Sequence, residues 1–235
     1  MIIVLLNKFT SLLRGGQIYG LREKSSMKTM IAFMSMIQKQ DTRAYIESLI
    51  YCFAAPTIRG LKPGNLINLR RSGDKNIAAI WDAEKEGLLR RFRLSSFTLS
   101  ARTTADESSV LILVYRKELL VRALFAEESR ALLDSLGYGD VSNVESCLER
   151  LGERFQCDFP HEIGLFLGYP PKDVEGFIRN RGEDPLLVGC WKVYGNVRKA
   201  RRTFRRYKQV ETSAARALIR RARHTWPHLG ERACI

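Results

Sequence analysis

The sequence predicts an α+β fold that is mainly helical, with a small sheet packed against several helices. Most of the chain repeats apolar residues at helical spacing, as in the series Ile46, Leu49, Ile50 and Phe53. Strand patterns are confined to three short segments, near residues 93–100, 110–115 and 186–194. No internal repeat or low-complexity linker interrupts the chain, so a single domain over residues 41–210 is the simplest division.

The N-terminal third predicts an extension, two helices and a loop. Residues 1–40 have weak periodicity, and we expect a poorly defined extension there. Asp41 or Thr42 then caps a helix that Pro56 ends. The following elements are a loop and a second helix, predicted over Leu61–Leu69 and Asp74–Lys85. Gly87 is the predicted terminator of that helix.

The first two strands are predicted to form a hairpin. Residues 93–100 alternate weakly, whereas residues 110–115 form a continuous apolar run rich in β-branched side chains. Such a run is typical of a strand that is covered on both faces. The polar link between the two segments indicates a tight reversal of the chain.

Helices dominate the next sixty residues. Apolar periodicity predicts three of them, over Lys117–Phe125, Ala126–Leu136 closed by Gly137, and Val141–Phe155 behind an Asp140 cap. A further helix is predicted to begin at Pro160 and to end at Gly168 in a left-handed conformation. Pro170-Pro171 starts another, which runs to Asn180.

The chain ends in a predicted strand and a long basic helix. Leu186–Tyr194 is the strand, and Gly195 to about Arg223 is the helix, with Val197, Phe204, Tyr207 and Ala215 as its apolar seam. Residues 211–235 are interpreted as the end of that helix and a tail.

Composition excludes several classes of protein. No apolar run reaches the roughly 18 residues that cross a bilayer, and residues 1–6 are a poor secretory signal, so we expect a cytoplasmic protein. The five cysteines are an odd number with wide spacing, which argues against a disulfide framework and a zinc knuckle.

The net charge of +14 is concentrated at one end of the chain. Residues 192–223 contain twelve lysines and arginines and the single acid Glu211, a net charge of +11, whereas residues 1–191 carry only +3. Within this segment the candidate nucleic-acid contacts are Arg198, Arg201, Arg202, Arg205 and Arg206. The pattern suggests nonspecific nucleic-acid binding, with a solvated helix face as the alternative. An anionic membrane is less favoured because the apolar seam is narrow.

Four blocks of sequence occur in a fixed order along the chain. They are Pro56-Thr57-Ile58-Arg59-Gly60-Leu61-Lys62, Leu113-Val114-Tyr115-Arg116, His161 to Pro170 with Asp173 to Ile178, and Trp191-Lys192-Val193-Tyr194-Gly195. In these blocks the chain resembles an uncharacterised bacterial family, a domain of unknown function, over roughly residues 43–208. The resemblance implies boundaries and candidate residues, but no reaction and no cofactor.

His161 and Glu162 are adjacent ionisable residues at a predicted helix start. A zinc-protease helix would need a histidine four residues after His161, where this chain has Leu165, so we expect no metal site. The imidazole could bind an anion at the helix N-terminus, or act as a general acid or base with Glu162 nearby. A purely structural cap is the alternative.

Cations that flank predicted strands and turns suggest a binding pocket. Lys62, Arg116 and Lys192 each adjoin a strand end or turn, and two tyrosines, Tyr115 and Tyr194, stand beside them. Together with His161 and Glu162 they are predicted to bind a small anionic ligand or cofactor that carries phosphate or carboxylate. Scattered surface cations are the alternative.

The positive and negative charges around Gly168-Tyr169-Pro170 are balanced, which disfavours a DNA-binding helix-turn-helix there.

Overall fold

The main sheet has three antiparallel strands, β1 (Gly64–Arg70), β2 (Ser95–Thr103) and β3 (Ser108–Tyr115), in the order β1-β3-β2. The structure is a computed structural model that describes residues 21–225, with side chains described for residues 24–222. Within that range the chain is α+β, as predicted. The helices are α1 (Leu21–Ile37), α2 (Thr42–Phe53), α3 (Ala55–Ile58), α4 (Ile77–Phe92), α5 (Lys117–Leu124), α6 (Glu127–Leu133), α7 (Val144–Cys157), α8 (Ile163–Phe166), α9 (Pro171–Arg179) and α10 (Val197–Thr225).

Strand β3 separates two hydrophobic cores. Successive side chains of a strand point to opposite faces, so Ile112 and Val114 enter the core formed with α1, α2 and α4. Leu113 and Tyr115 enter the other core, which α5 to α10 cover. Each of these four side chains is at most 8% exposed. The prediction of a strand buried on both faces is thereby confirmed, as is its antiparallel hairpin with β2.

Strand β1 corrects the prediction of a loop over Leu61–Leu69. Ile67 and Leu69 point into the core with α2 and α4, while Asn68 and Arg70 are exposed, which is the alternation of a half-buried strand. Asparagine is uncommon in strands, and Asn65 and Asn68 hide this alternation in the sequence. The strand is held by β3, whose residues lie far along the chain.

Two helix boundaries also differ from the predictions. Helix α4 starts at Ile77 and continues through Gly87 to Phe92, because Leu88 and Leu89 extend its buried stripe. Arg93, with a φ of 55°, supplies the left-handed residue that ends it. Helix α7 starts three residues later than predicted, at Val144, because the side chain of Asn143 accepts a hydrogen bond from the Ser146 backbone N–H at 2.8 Å.

Gly137 does not simply end the helix before it, as the sequence predicts. The chain continues from α6 into one π-helical turn over Asp134–Tyr138, within which Gly137 has a φ of 90°.

Helix α8 is shorter than the helix predicted to begin at Pro160, because Pro160 to Glu162 form a turn before it. The predicted left-handed Gly168, with a φ of 74°, and the start of α9 at Pro171 are both confirmed.

The predicted strand over Leu186–Tyr194 is a separate hairpin. Two short strands, β4 (Leu187–Val188) and β5 (Lys192–Val193), pair antiparallel and form their own sheet. The reversal at Gly189 to Trp191 divides what the sequence predicted as one strand. The hairpin precedes α10, which begins at Val197, two residues after the predicted start at Gly195.

Helix α1 covers part of the segment in which we expected a poorly defined extension. Phe33 and Ile37 are fully buried in the core with α2 and α4. Ser26 is hydrogen-bonded to Thr212 of α10 at 2.7 Å between hydroxyl oxygens. The rest of that extension, residues 1–20, lies outside the described residues. No helix in the described range is both long and apolar enough to cross a membrane.

Candidate functional site

Lys62 occupies a buried position between α3 and β1. Its side chain is mostly enclosed, with the residue 7% exposed, and Nζ donates to Oδ1 of Asn65 at 3.0 Å. Asn65 is also buried, and its Nδ2 donates to the Phe53 carbonyl at 2.7 Å. This second hydrogen bond directs the amide oxygen of Asn65 toward the lysine, because an amide group has its donor and acceptor on opposite sides.

Two glycines let the loop that carries Lys62 pack closely. A Cβ on Gly64 would lie 2.7 Å from the carbonyl oxygen of Phe166. A Cβ on Gly168 would overlap the ring of Pro63, and its φ of 74° already favours glycine. The segment around Lys62 is therefore pressed against the end of α8. This contact fixes where β1 begins and where the lysine side chain starts.

Two tyrosine rings face the Lys62 ammonium group. Nζ lies 5.7 Å from the ring centroid of Tyr169 and 5.5 Å from that of Tyr207. Both distances are within the range at which the negative face of an aromatic ring attracts a cation. Tyr169 is stacked on Trp191 with centroids 4.8 Å apart, so its ring is held in place. Burial raises the pKa of Tyr169, so its hydroxyl remains a neutral donor.

Lys62, with Asn65, Tyr169 and Tyr207, lines a cleft of about 720 Å³. Its walls come from α1, α2, β1 and α10, together with Leu167, Tyr169 and Cys190. The volume is that of a site for a small organic molecule. We call this space the Lys62 cleft.

Other charged groups also line the Lys62 cleft. Arg70 forms an ion pair with Glu107 at 2.8 Å, and Arg71 forms one with Asp74 at 2.6 Å. Glu211 of α10 is part of the wall as well. The cleft is therefore mixed in charge, and Lys62 is the most buried of the cations Lys62, Arg70 and Arg71 that line it.

The other residues predicted to bind a ligand make different sets of contacts. Tyr115 belongs to the core at the end of β3, where burial raises its pKa. Arg116 precedes α5, its backbone N–H donates to the Pro63 carbonyl at 2.9 Å, and its guanidinium lies against Gly60. Of the seven predicted residues, Lys62 is the one that lines the cleft of about 720 Å³.

His161, Lys192 and Tyr194 gather at the C-terminal end of α9. The His161 ring lies edge-on to Phe177 with centroids 5.0 Å apart, and Lys192 Nζ is 5.8 Å from the centroid of the same ring. Lys192 donates to the carbonyl of Gly182 at 2.6 Å, and the Tyr194 hydroxyl donates to that of Glu183 at 2.9 Å. Lys192 and Tyr194 therefore hold the chain after α9 against the segment that ends the β4–β5 hairpin, while His161 packs against α9.

Glu162 is bound to partners other than His161. The residue is 1% exposed, and its carboxylate accepts hydrogen bonds from the Tyr138 hydroxyl, at 3.2 Å, and from Nε of Arg154. His161 Nδ1 is buried and has no hydrogen-bond partner among the described residues. Burial lowers the pKa of His161, with Asp158 and Glu162 opposing that effect. The carboxylate therefore does not orient the imidazole as a general base would require.

Sequence reasoning missed four residues that organise this part of the molecule. Asn65, Tyr169 and Tyr207 surround the Lys62 ammonium, and Asp173 is a buried acceptor whose Oδ2 bonds the Trp191 indole N–H at 2.8 Å. The sequence indicates Tyr207 only as a seam residue of the basic helix. Tyr207 within an otherwise basic helix was the available signal, because an aromatic ring attracts a cation to its face.

The five candidate arginines lie on one side of α10. Residues at these spacings share a helix face about 140° wide, given a rotation of roughly 100° per residue. All five are exposed, and no carboxylate of the described residues is within ion-pair distance of them. Four of them line a shallow groove, namely Arg198, Arg201, Arg202 and Arg205. We call these five residues the arginine face.

Within the described residues, no group of three or more His, Cys, Asp or Glu side chains is placed to hold a metal ion.

Comparison with known proteins gives one match. A family model described as a protein of unknown function (DUF3793) matches residues 49–225. The matched range includes the Lys62 cleft from Leu49 onward and the whole of α10. No curated protein and no solved structure matches the chain.

Proposed function

The chain belongs to DUF3793, a family of proteins of unknown function, and we propose from its geometry that the Lys62 cleft binds a small anionic ligand carrying an apolar or aromatic group. The observation that carries this proposal is that Lys62, a residue only 7% exposed, lies on the wall of a cleft. A positive charge on the wall of a cleft attracts an anionic group of a ligand. The bound anion would lie beside the ammonium together with Asn65 and the two tyrosine rings.

The groups around Lys62 suit a carboxylate or a phosphate. The ammonium has three N–H donors, and the Asn65 amide oxygen accepts from it at 3.0 Å. A ligand oxygen within reach of Nζ would form a charge-assisted hydrogen bond, which is about twice as strong as a neutral one. Because Glu107 and Glu211 also line the cleft, recognition would depend on this local contact rather than on a general positive field.

The remaining wall of the cleft suits an apolar or aromatic portion of the ligand. Leu49 and Phe53 of α2, with Met34 of α1, line one side. The ring of Tyr45 is part of the same wall and is held by a hydrogen bond from its hydroxyl to the Arg70 carbonyl at 2.7 Å. The cleft therefore places apolar and aromatic side chains beside polar and charged ones, a combination that suits an organic anion.

Calorimetric titration of the full-length protein tests the proposal with four probes, inorganic phosphate, phenyl phosphate, acetate and benzoate. We expect each aromatic anion to bind more tightly than its small counterpart, because the ring would bury apolar surface. Lys62→Met should weaken binding of phenyl phosphate about tenfold or more, as expected for the loss of a hydrogen bond from a charged group. Lys28→Met, which removes an exposed lysine of α1, is the matched control.

Circular dichroism must show that both variants are folded. If folded Lys62→Met binds the aromatic anions as tightly as the unaltered protein, the cleft is not the site and the proposal is wrong. Equal weakening by Lys28→Met would have the same meaning, since the effect would then arise from overall charge.

A further inference from the structure

Two exposed aliphatic side chains lie on the β4–β5 hairpin. Leu186 is 63% exposed and Val188 is 57% exposed. They are two residues apart along an extended segment, so they project from the same face, while Leu187 between them packs toward the core. The backbone N–H of Leu186 donates to the Val193 carbonyl at 2.8 Å, which fixes the start of this face on the hairpin.

The hairpin is packed directly on the helix that carries the arginine face. A Cβ on Gly189 would overlap the ring of Phe204, so the reversal of the hairpin rests on that ring. Trp191 is edge-on to the same ring, with centroids 4.5 Å apart. Phe204 lies between Arg201 and Arg205 in α10, and both are exposed. The hairpin that carries the aliphatic pair is therefore packed, through an aromatic contact, on the helix that carries the arginine face.

We propose that the arginine face, together with Leu186 and Val188, docks on an anionic lipid surface. The arginines would contact lipid phosphates at the headgroup level, and the two aliphatic side chains would enter the boundary with the acyl chains. The apolar seam of α10 does not take part, because Tyr207 and Ala215 are buried against the rest of the protein. The apolar contribution comes instead from the neighbouring hairpin, which sequence reasoning about the helix alone could not supply.

The side chains beside the arginines favour lipid over nucleic acid. Proteins that bind single-stranded nucleic acid pair a basic groove with exposed aromatic rings on which bases stack. Here the aromatic residues of α10 are packed against the protein, since Phe204 lies edge-on to Trp191 and Tyr207 is buried. The exposed apolar side chains are aliphatic, and these gain by entering hydrocarbon rather than by stacking.

Two acids moderate this surface. Glu183 and Asp184 are exposed and precede the hairpin. They are outnumbered by the five arginines, so the surface keeps a positive balance. Binding should therefore depend on anionic lipid and fall with added salt.

Co-sedimentation of the full-length protein with vesicles tests the proposal. One set contains phosphatidylcholine alone, and the other contains phosphatidylcholine mixed with phosphatidylglycerol. We expect binding to the second set only. A triple variant, Arg198→Gln with Arg201→Gln and Arg205→Gln, should lose binding by about tenfold or more, given the contribution of each arginine near an anionic surface.

Two further variants test whether the aliphatic pair contributes to vesicle binding and whether the loss is specific to the arginine face. Leu186→Ser with Val188→Ser should weaken vesicle binding several-fold while leaving the fold intact, because both side chains are exposed. The matched control replaces three exposed arginines elsewhere, Arg90→Gln with Arg102→Gln and Arg122→Gln, and should bind vesicles as the unaltered protein does.

Three outcomes would overturn the proposal. The first is the absence of binding to phosphatidylglycerol vesicles. The second is an equal loss in the control variant, which would indicate a response to overall charge alone. The third is binding of single-stranded nucleic acid through the same arginines, with no effect of the Leu186→Ser and Val188→Ser pair on either partner.

Discussion

Asp173 at the start of α9 accepts a hydrogen bond from the indole N–H of Trp191 at 2.8 Å. Its other oxygen accepts the backbone N–H groups of Tyr194, at 2.8 Å, and Gly195, at 2.7 Å. The carboxylate of this buried residue, which is 3% exposed, therefore joins α9 to the hairpin and to the entry of α10. Two of the sequence blocks that carry the family resemblance are thus a single structural unit.

Asp173→Asn should destabilise the protein by about 2 kcal/mol, because an amide replaces one acceptor oxygen with a donor. Where that donor faces the Trp191 N–H, two donors oppose each other. Urea denaturation measures the change, with the exposed Asp106→Asn as control. In the Asp173→Asn background, Trp191→Phe should cost less than it does alone. Strict additivity of the two changes would contradict the direct bond.

Arg154→Met should destabilise the protein because it leaves the buried carboxylate of Glu162 without its cation. Breaking a buried ion pair costs about 3–5 kcal/mol, but the Arg154 side chain is 41% exposed, so we expect about 2 kcal/mol. Adding Glu162→Gln should recover part of the loss, since no charge then remains buried. Thermal and urea denaturation of the single and double variants measure this coupling. A double variant less stable than Arg154→Met would contradict it.

Local signals explain which elements could be predicted. Helix α2 begins where Asp41 caps it, with Oδ1 accepting the Ala44 N–H at 2.8 Å, and both residues are close in sequence. The β2–β3 hairpin is likewise local. Strand β1 was missed because it depends on β3, some forty residues later, and its own alternation is interrupted by asparagines.

The Lys62 cleft could be predicted only in part for the same physical reason. Lys62 was identified from its place beside a turn, but its neighbours Tyr169 and Tyr207 reach it through tertiary packing. His161 and Glu162 are adjacent in sequence, yet one contacts Phe177 and the other Tyr138. Sequence adjacency gives no direction to a side chain in a turn, so it could not indicate these partners.

The stability of the protein should depend on pH through His161. Burial lowers its pKa below the ordinary 6.5, so in the window between that lowered value and about 6.5 the unfolded chain binds a proton that the folded chain does not. Stability should therefore fall as the pH drops through this window. The difference in unfolding free energy between the unaltered protein and His161→Gln, measured from pH 8 to pH 5, isolates the contribution of His161 to the pH dependence of stability. A constant difference would contradict the prediction.

Two helical glycines should respond in opposite directions to alanine. Gly87 lies inside α4, and a Cβ added there would meet no atom within 4 Å, so Gly87→Ala should stabilise the protein by about 1 kcal/mol through helix propensity. Gly176 lies inside α9, where a Cβ would be 2.6 Å from Cβ of Tyr194. Gly176→Ala should therefore destabilise by about 1–3 kcal/mol despite the same gain in propensity, because the hairpin must shift. Urea denaturation of both variants measures the two changes. Equal stabilisation would show that α9 and the segment after β5 do not pack this closely.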